Sequence, residues 1–165
     1  DSSVSSEIDW EVELAVIIGR ECLNVDVVDS LSYVFGYTVL NDISARDIQY
    51  RHKQFYLGKS LNGSCPMGPW IVTSDEIVDP QCLDIKCWVN GELMQESNTS
   101  DQIYTVAETI SIFSKGHTLF PGDVIATGTP AGVGFVRKPP RFLVPGDVLE
   151  SEVDGIGRMR NVVGN

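Results

Sequence analysis

From Asp9 to Ile18 the chain reads Asp-Trp-Glu-Val-Glu-Leu-Ala-Val-Ile-Ile, an apolar strand opened by two glutamates one residue apart. Strand side chains alternate with a period of two. Glu11 and Glu13 therefore share one face, and Val12, Leu14, Val16 and Ile18 share the other. The apolar face belongs in a core. Two carboxylates beside that core repel each other, and desolvation raises the cost. A hard divalent cation removes both problems, because Mg²⁺ and Ca²⁺ take carboxylate oxygens as ligands. A solvated edge face is the competing reading of a lone Glu-x-Glu pair.

The rest of the chain supports a β-rich fold. Tyr37 to Asn41, Trp70 to Thr73 and Leu83 to Val89 read as strands, and Asn90-Gly91 is a strong hairpin signal before a return strand over Glu92 to Gln95. Pro121-Gly122-Asp123-Val124 and Pro145-Gly146-Asp147-Val148 are near copies, each a turn feeding a strand. Val25 to Phe35 reads as a short helix with Val27, Val28, Leu31 and Val34 inward and Gly36 as its stop. Ser44 is placed to cap a helix carrying Ala45 to Tyr50. Val106, Ile110 and Phe113 recur at helical spacing ahead of a C-cap at Gly116. No regular βαβ alternation exists, so a doubly wound sheet is not expected. The fold class is α+β, predominantly β, in one domain over residues 1–165.

Charge narrows the function classes. A net charge of −11 with no basic stripe argues against nucleic acid and anionic membranes as partners. The longest apolar run, Leu14 to Ile18, is far below the ~20 residues of a membrane helix. Cys22, Cys65, Cys82 and Cys87 form no Cys-x-x-Cys pair and read as buried free thiols of a reducing compartment. His52 and His117 have no zinc-type spacing.

Four further segments carry candidate chemistry. Asp42 ends an apolar strand just before Arg46 and Gln49, which share a helix face at a spacing of three. Arg46 can clamp a carboxylate and Gln49 can add a neutral donor; an amphipathic surface helix explains the same residues. Gly58-Lys59-Ser60 imitates the end of a phosphate loop, but Lys53 stands where that motif needs glycine. Lys59 is instead a candidate to face a ligand or an enolate, with a solvated lysine as the alternative. Thr127 to Gly134 is a Gly/Thr-rich run suited to close approach by a carboxylate, or equally a tight β turn.

Taken together, these segments resemble the fumarylacetoacetate hydrolase family. The resemblance runs through Glu11 to Leu14, Asn41 to Gln49, Gly58 to Ser60, Cys65 to Trp70, Val89 to Glu92 and Pro121 to Gly134. It implies mixed β-sheets wrapped into a roll with short peripheral helices, and usually a homodimer. It implies Mg²⁺, Mn²⁺ or Ca²⁺ held by Glu11, Glu13 and Asp42. Arg46 and Gln49 would face the substrate, Lys59 would stabilise developing negative charge, and Thr129 would bind the substrate carboxylate. The implied substrates are small 2-oxo acids. The implied chemistry is acylpyruvate-type C–C hydrolysis through a metal-bound enolate, or alternatively oxaloacetate keto–enol tautomerisation or decarboxylation. A non-catalytic metal-binding member is a further alternative.

Two features refine the resemblance. Hydrolytic and decarboxylating members use a His-x-x-Glu pair on a lid upstream of the Glu-x-Glu strand, and residues 1–10 hold no histidine. The expectation is a catalytic domain lacking that upstream lid. His52, near Lys59, is a candidate substitute base, with a plain surface position as its alternative. The run Gly132 to Leu143 is most similar to the domain-containing protein 2 branch, whose members resemble oxaloacetate tautomerases. Both cytoplasmic and mitochondrial locations fit that branch.

Overall fold

The computed structural model describes residues 4–51 and 53–164; His52 therefore lies outside the described residues. Chain order begins with β1 (Ile8–Asp9), β2 (Val12–Ile18), α1 (Val27–Ser30), β3 (Val34–Asn41), β4 (Ser44–Ala45), α2 (Arg46–Arg51) and α3 (Tyr56–Lys59). It continues with β5 (Met67–Thr73), β6 (Asp84–Val89), β7 (Glu92–Asn98), α4 (Val106–Phe113), β8 (Val124–Ala126), β9 (Val148–Val153) and β10 (Gly157–Val162).

Two four-stranded sheets, ordered β5-β3-β2-β8 and β10-β9-β6-β7, hold the core between them. Every pairing among the described residues is antiparallel. The face of β2 expected to be apolar does the packing: Val12, Leu14, Val16 and Ile18 are buried with Val39, Cys87, Val89 and Val153. β2 lies between β3 and β8 in its sheet, and no residue of the strand is exposed, so its other face is covered as well. The chain is α+β and predominantly β, as expected.

The local signals hold where turn chemistry dictates the backbone. Asn90 and Gly91 take φ values of 53° and 80°, the left-handed pair of a two-residue hairpin joining β6 to β7. The two Pro-Gly-Asp-Val copies build the same turn. Asp123 accepts from the Phe120 N–H and Asp147 from the Val144 N–H, each opening a strand. Thr105 and Glu108 form a reciprocal capping box at the start of α4.

Five expectations need correction. The helix after Val25 lasts one turn, tightens to a 3₁₀ turn over Leu31–Tyr33 and is extended from Val34. Val27, Val28 and Leu31 are consequently exposed, while Val25 and Val34 are buried. Gly36 does not stop a helix: it lies within β3, where a Cβ would run into the Val72 carbonyl of β5. Ser44 does not cap α2: it pairs with Asp9 in the β1–β4 ladder, and its hydroxyl donates to the Asp42 carbonyl. Phe113 is half-exposed at the end of α4, and Cys65 and Cys82 are exposed while Cys22 and Cys87 are buried.

Candidate metal centre

The β2–β3 register explains why three distant carboxylates meet. Val12 pairs with Asn41, so the end of β3 lies beside the start of β2. The Asp42 N–H donates to the Glu11 carbonyl at 2.8 Å, and Glu13 follows one period along β2. Carboxylate oxygens of Glu11, Glu13 and Asp42 lie within 4.8 Å of one another.

Lys59 reaches the cluster from α3, one turn of helix in a segment that reads as loop. Gly58 makes this possible. A Cβ there would meet the Gln49 backbone at 2.8 Å, so only glycine lets α3 lie against α2. The Lys59 ammonium donates to Glu11 Oε2 at 2.8 Å and also to Asp42 Oδ2. Burial works against its charge, but hydrogen bonds and attraction from Asp42 and Glu11 outweigh this and hold its pKa above the ordinary lysine value.

Glu13 stands apart. It is 3% exposed and accepts the Gly128 N–H at 2.6 Å, yet among the described residues it has no ion-pair partner. Burial raises its pKa from 4.5 to about 7; the Gly128 bond opposes this, and Asp42 and Glu11 push it higher. A buried carboxylate short of positive charge, beside two more hard oxygen donors, suits Mg²⁺, Mn²⁺ or Ca²⁺. The residues fit such an ion.

Arg46 is almost fully buried, and its guanidinium is heavily used. Nε donates to Asp9 Oδ2 at 2.9 Å, and Nη1 lies 2.6 Å from Glu11 Oε1 and donates to Gln49 Oε1 at 3.1 Å. Nη2 is also 2.9 Å from Asp9 Oδ2, at an angle that makes it an ion-pair contact rather than a hydrogen bond. The Phe135 ring covers the guanidinium at 4.4 Å. Thr129 is committed too: its hydroxyl donates to the Val12 carbonyl at 2.9 Å and accepts from Gln95 Nε2 at 2.8 Å. The Gly/Thr-rich run thus turns its amides on the protein's own carboxylates, with Gly128 on Glu13 and Gly134 on Asp9.

Three buried polar residues to which the sequence reading gave no site role hold this arrangement. Asn41 accepts the Glu11 N–H and donates to Ser151 Oγ. Gln95 accepts the Val12 N–H and donates to Thr129 and Pro130. Asp9 joins Arg46 to the loop at Gly134 and Phe135. Only Asp9 carried a sequence signal, since period two extends the face of Glu11 and Glu13 back to it.

A family model described as fumarylacetoacetate (FAA) hydrolase C-terminal matches residues 2–164. The oxaloacetate tautomerase YisK of Bacillus subtilis (strain 168) is 49% identical over 161 residues, covering 98% of this chain and 54% of the relative. The mitochondrial oxaloacetate tautomerase Fahd2a of Rattus norvegicus is 48% identical over 160 residues, covering 96% of this chain and 51% of the relative. The solved fumarylacetoacetate hydrolase of psychrophilic Exiguobacterium antarcticum superposes with a TM-score of 0.96 at 45% identity, covering 99% of this chain and 58% of that one. The chain spans about half the length of the curated relatives it matches.

Proposed function

The chain belongs to the fumarylacetoacetate hydrolase family, and from that premise we propose that it is a divalent-metal-dependent enzyme that interconverts the keto and enol forms of oxaloacetate. The observation that favours this reaction is the likeness to two oxaloacetate tautomerases, and the Lys59 ammonium seated between Glu11 and Asp42 at the edge of a three-carboxylate cluster supplies the positive charge it needs. Glu11, Glu13 and Asp42 would hold the ion, which would supply Lewis-acid polarisation of the substrate's 2-oxo group.

Lys59 holds a positive charge at the substrate's 2-oxygen, where negative charge develops as the C3–H bond breaks and its proton passes to solvent water. The 2-oxygen then takes a proton back from solvent to complete the enol. The raised pKa of Lys59 keeps it cationic for that task. Arg46 presents Nη1 beside Glu11, and Gln49 lies next to it on the same face of α2. Both border the substrate in this reading. The Thr129 hydroxyl is committed as a donor to the Val12 carbonyl, so in this reading its main-chain N–H is the group that meets the substrate carboxylate.

Acylpyruvate-type C–C hydrolysis is the second reading, supported by the likeness to the Exiguobacterium antarcticum hydrolase. It uses the same charge apparatus but adds an activated water. In the same proposal the chain is a single catalytic domain and a homodimer. Its place is the cytoplasm or the mitochondrion; the rat relative's name states the latter, and no described helix is long and apolar enough to cross a membrane.

Ultraviolet absorbance of enol-oxaloacetate, followed after mixing the chain with ketonised substrate and Mg²⁺, tests the proposal. Faster equilibration that chelator abolishes supports it. Pyruvate release from an acylpyruvate, with no change in the enol rate, transfers the assignment to the hydrolytic reading.

A further inference from the structure

Asp9 is 0% exposed, yet its carboxylate collects four N–H donors from three segments of chain. Oδ1 accepts from the Trp10 N–H at 2.9 Å and the Gly134 N–H at 2.6 Å. Oδ2 accepts from the Phe135 N–H at 3.0 Å and Arg46 Nε at 2.9 Å. Both oxygens act as acceptors, and one of them faces a guanidinium. The position is specified from the other side as well. A Cβ on Gly134 would clash with the Arg141 carbonyl and come within 2.7 Å of Asp9 Oδ1, so only glycine lets the loop amide reach it. The next residue, Phe135, lays its ring on the Arg46 guanidinium.

Charge is the consequence that matters. Three carboxylates form the cluster, Lys59 and Arg46 bring two cations to it, and Asp9 returns one negative charge. The six groups then leave two net negative charges, the complement of a divalent ion. Without Asp9, Arg46 would keep only its ion pair with Glu11 and the centre would fall one charge short.

We propose that Asp9 is a positioning residue that neutralises Arg46 and fixes it against Glu11, so that the charge of the centre matches a divalent cation. The proposal rests on the function above only in placing that cation at Glu11, Glu13 and Asp42. It is independent of the reaction catalysed.

Mn²⁺ affinity measured by calorimetry on the parent chain, Asp9→Asn, Arg46→Gln and the double variant tests it, with metal-free melting curves to establish folding. Asp9→Asn removes one negative charge and is expected to weaken Mn²⁺ binding by at least about tenfold. Arg46→Gln removes one positive charge and is expected to tighten it. The double variant restores the balance and should bind within about threefold of the parent, since the opposed charge effects cancel. A role confined to structure would instead weaken all three, and that pattern overturns the proposal. If Asp9→Asn does not fold, the sign for Arg46→Gln decides alone, because weaker binding there contradicts charge balance. A parent chain that binds no Mn²⁺ overturns the cluster assignment together with this proposal, whereas a parent that binds while all variants bind weakly overturns only the role of Asp9.

Discussion

Replacing Glu13 with glutamine removes the least compensated charge in the centre while keeping an oxygen to accept the Gly128 N–H. The folded-state pKa is raised from 4.5 to about 7. Between these values the folded protein holds a proton that the unfolded chain has lost. Stability of the metal-free protein therefore falls as pH rises through that window and is flat above it. A shift of this size corresponds to about 3 kcal/mol, lost between the two pKa values. For a chain of this length that is a melting-point difference of roughly 10 °C. The variant carries no such proton, so it should out-melt the parent by about that margin near pH 8 in chelator. Near pH 4.5 the margin should vanish. Mg²⁺ should reverse the ranking at high pH, because an ion bound to the ionised carboxylate stabilises the parent alone. Melting curves of both proteins, with chelator and with Mg²⁺ across this range, provide the assay. A parent–variant difference in chelator that does not change with pH would refute the reasoning.

Lys59→Met should slow enol–keto equilibration by about 10²- to 10³-fold, the usual cost of deleting one electrostatic stabiliser. It should also tighten Mn²⁺ binding, since the ammonium that pairs with Glu11 and Asp42 is gone; unchanged rates would remove Lys59 from the mechanism. Gln95→Met strands the buried Val12 N–H and the Pro130 carbonyl. Chemical denaturation should report a loss of about 2–4 kcal/mol, and a loss below half a kilocalorie would deny Gln95 its clamping role.

The parts of this molecule legible in its sequence are those set by neighbours along the chain. Asn90-Gly91 dictates its own turn, the two Pro-Gly-Asp-Val segments close through an aspartate three residues from its donor, and Val12 to Ile18 alternates because one sheet face must pack. Glu11 and Glu13 could be paired by period alone. Joining Asp42 to them required the β2–β3 register, which no local pattern contained; the resemblance implied the three ligands without it. The inward face assigned to Val27, Val28 and Leu31 failed because the demand for strand at Val34 cut the helix short. Asn41 and Gln95 were invisible for another reason. Their partners Ser151, Val12 and Thr129 come from remote strands and loops, and a buried amide has no signature until its neighbours are placed. The Gly/Thr-rich run shows the same limit: its composition announces exposed amides, and only the fold reveals that they serve Glu13 and Asp9.

The proposed activity requires a divalent ion held by Glu11, Glu13 and Asp42. Anomalous diffraction from crystals of the chain grown with Mn²⁺ and oxalate tests this most directly. One strong peak bonded to all three carboxylates is expected, with oxalate completing its coordination next to Lys59. No peak at the cluster, or a peak elsewhere that leaves Lys59 bridging Glu11 and Asp42, would contradict it.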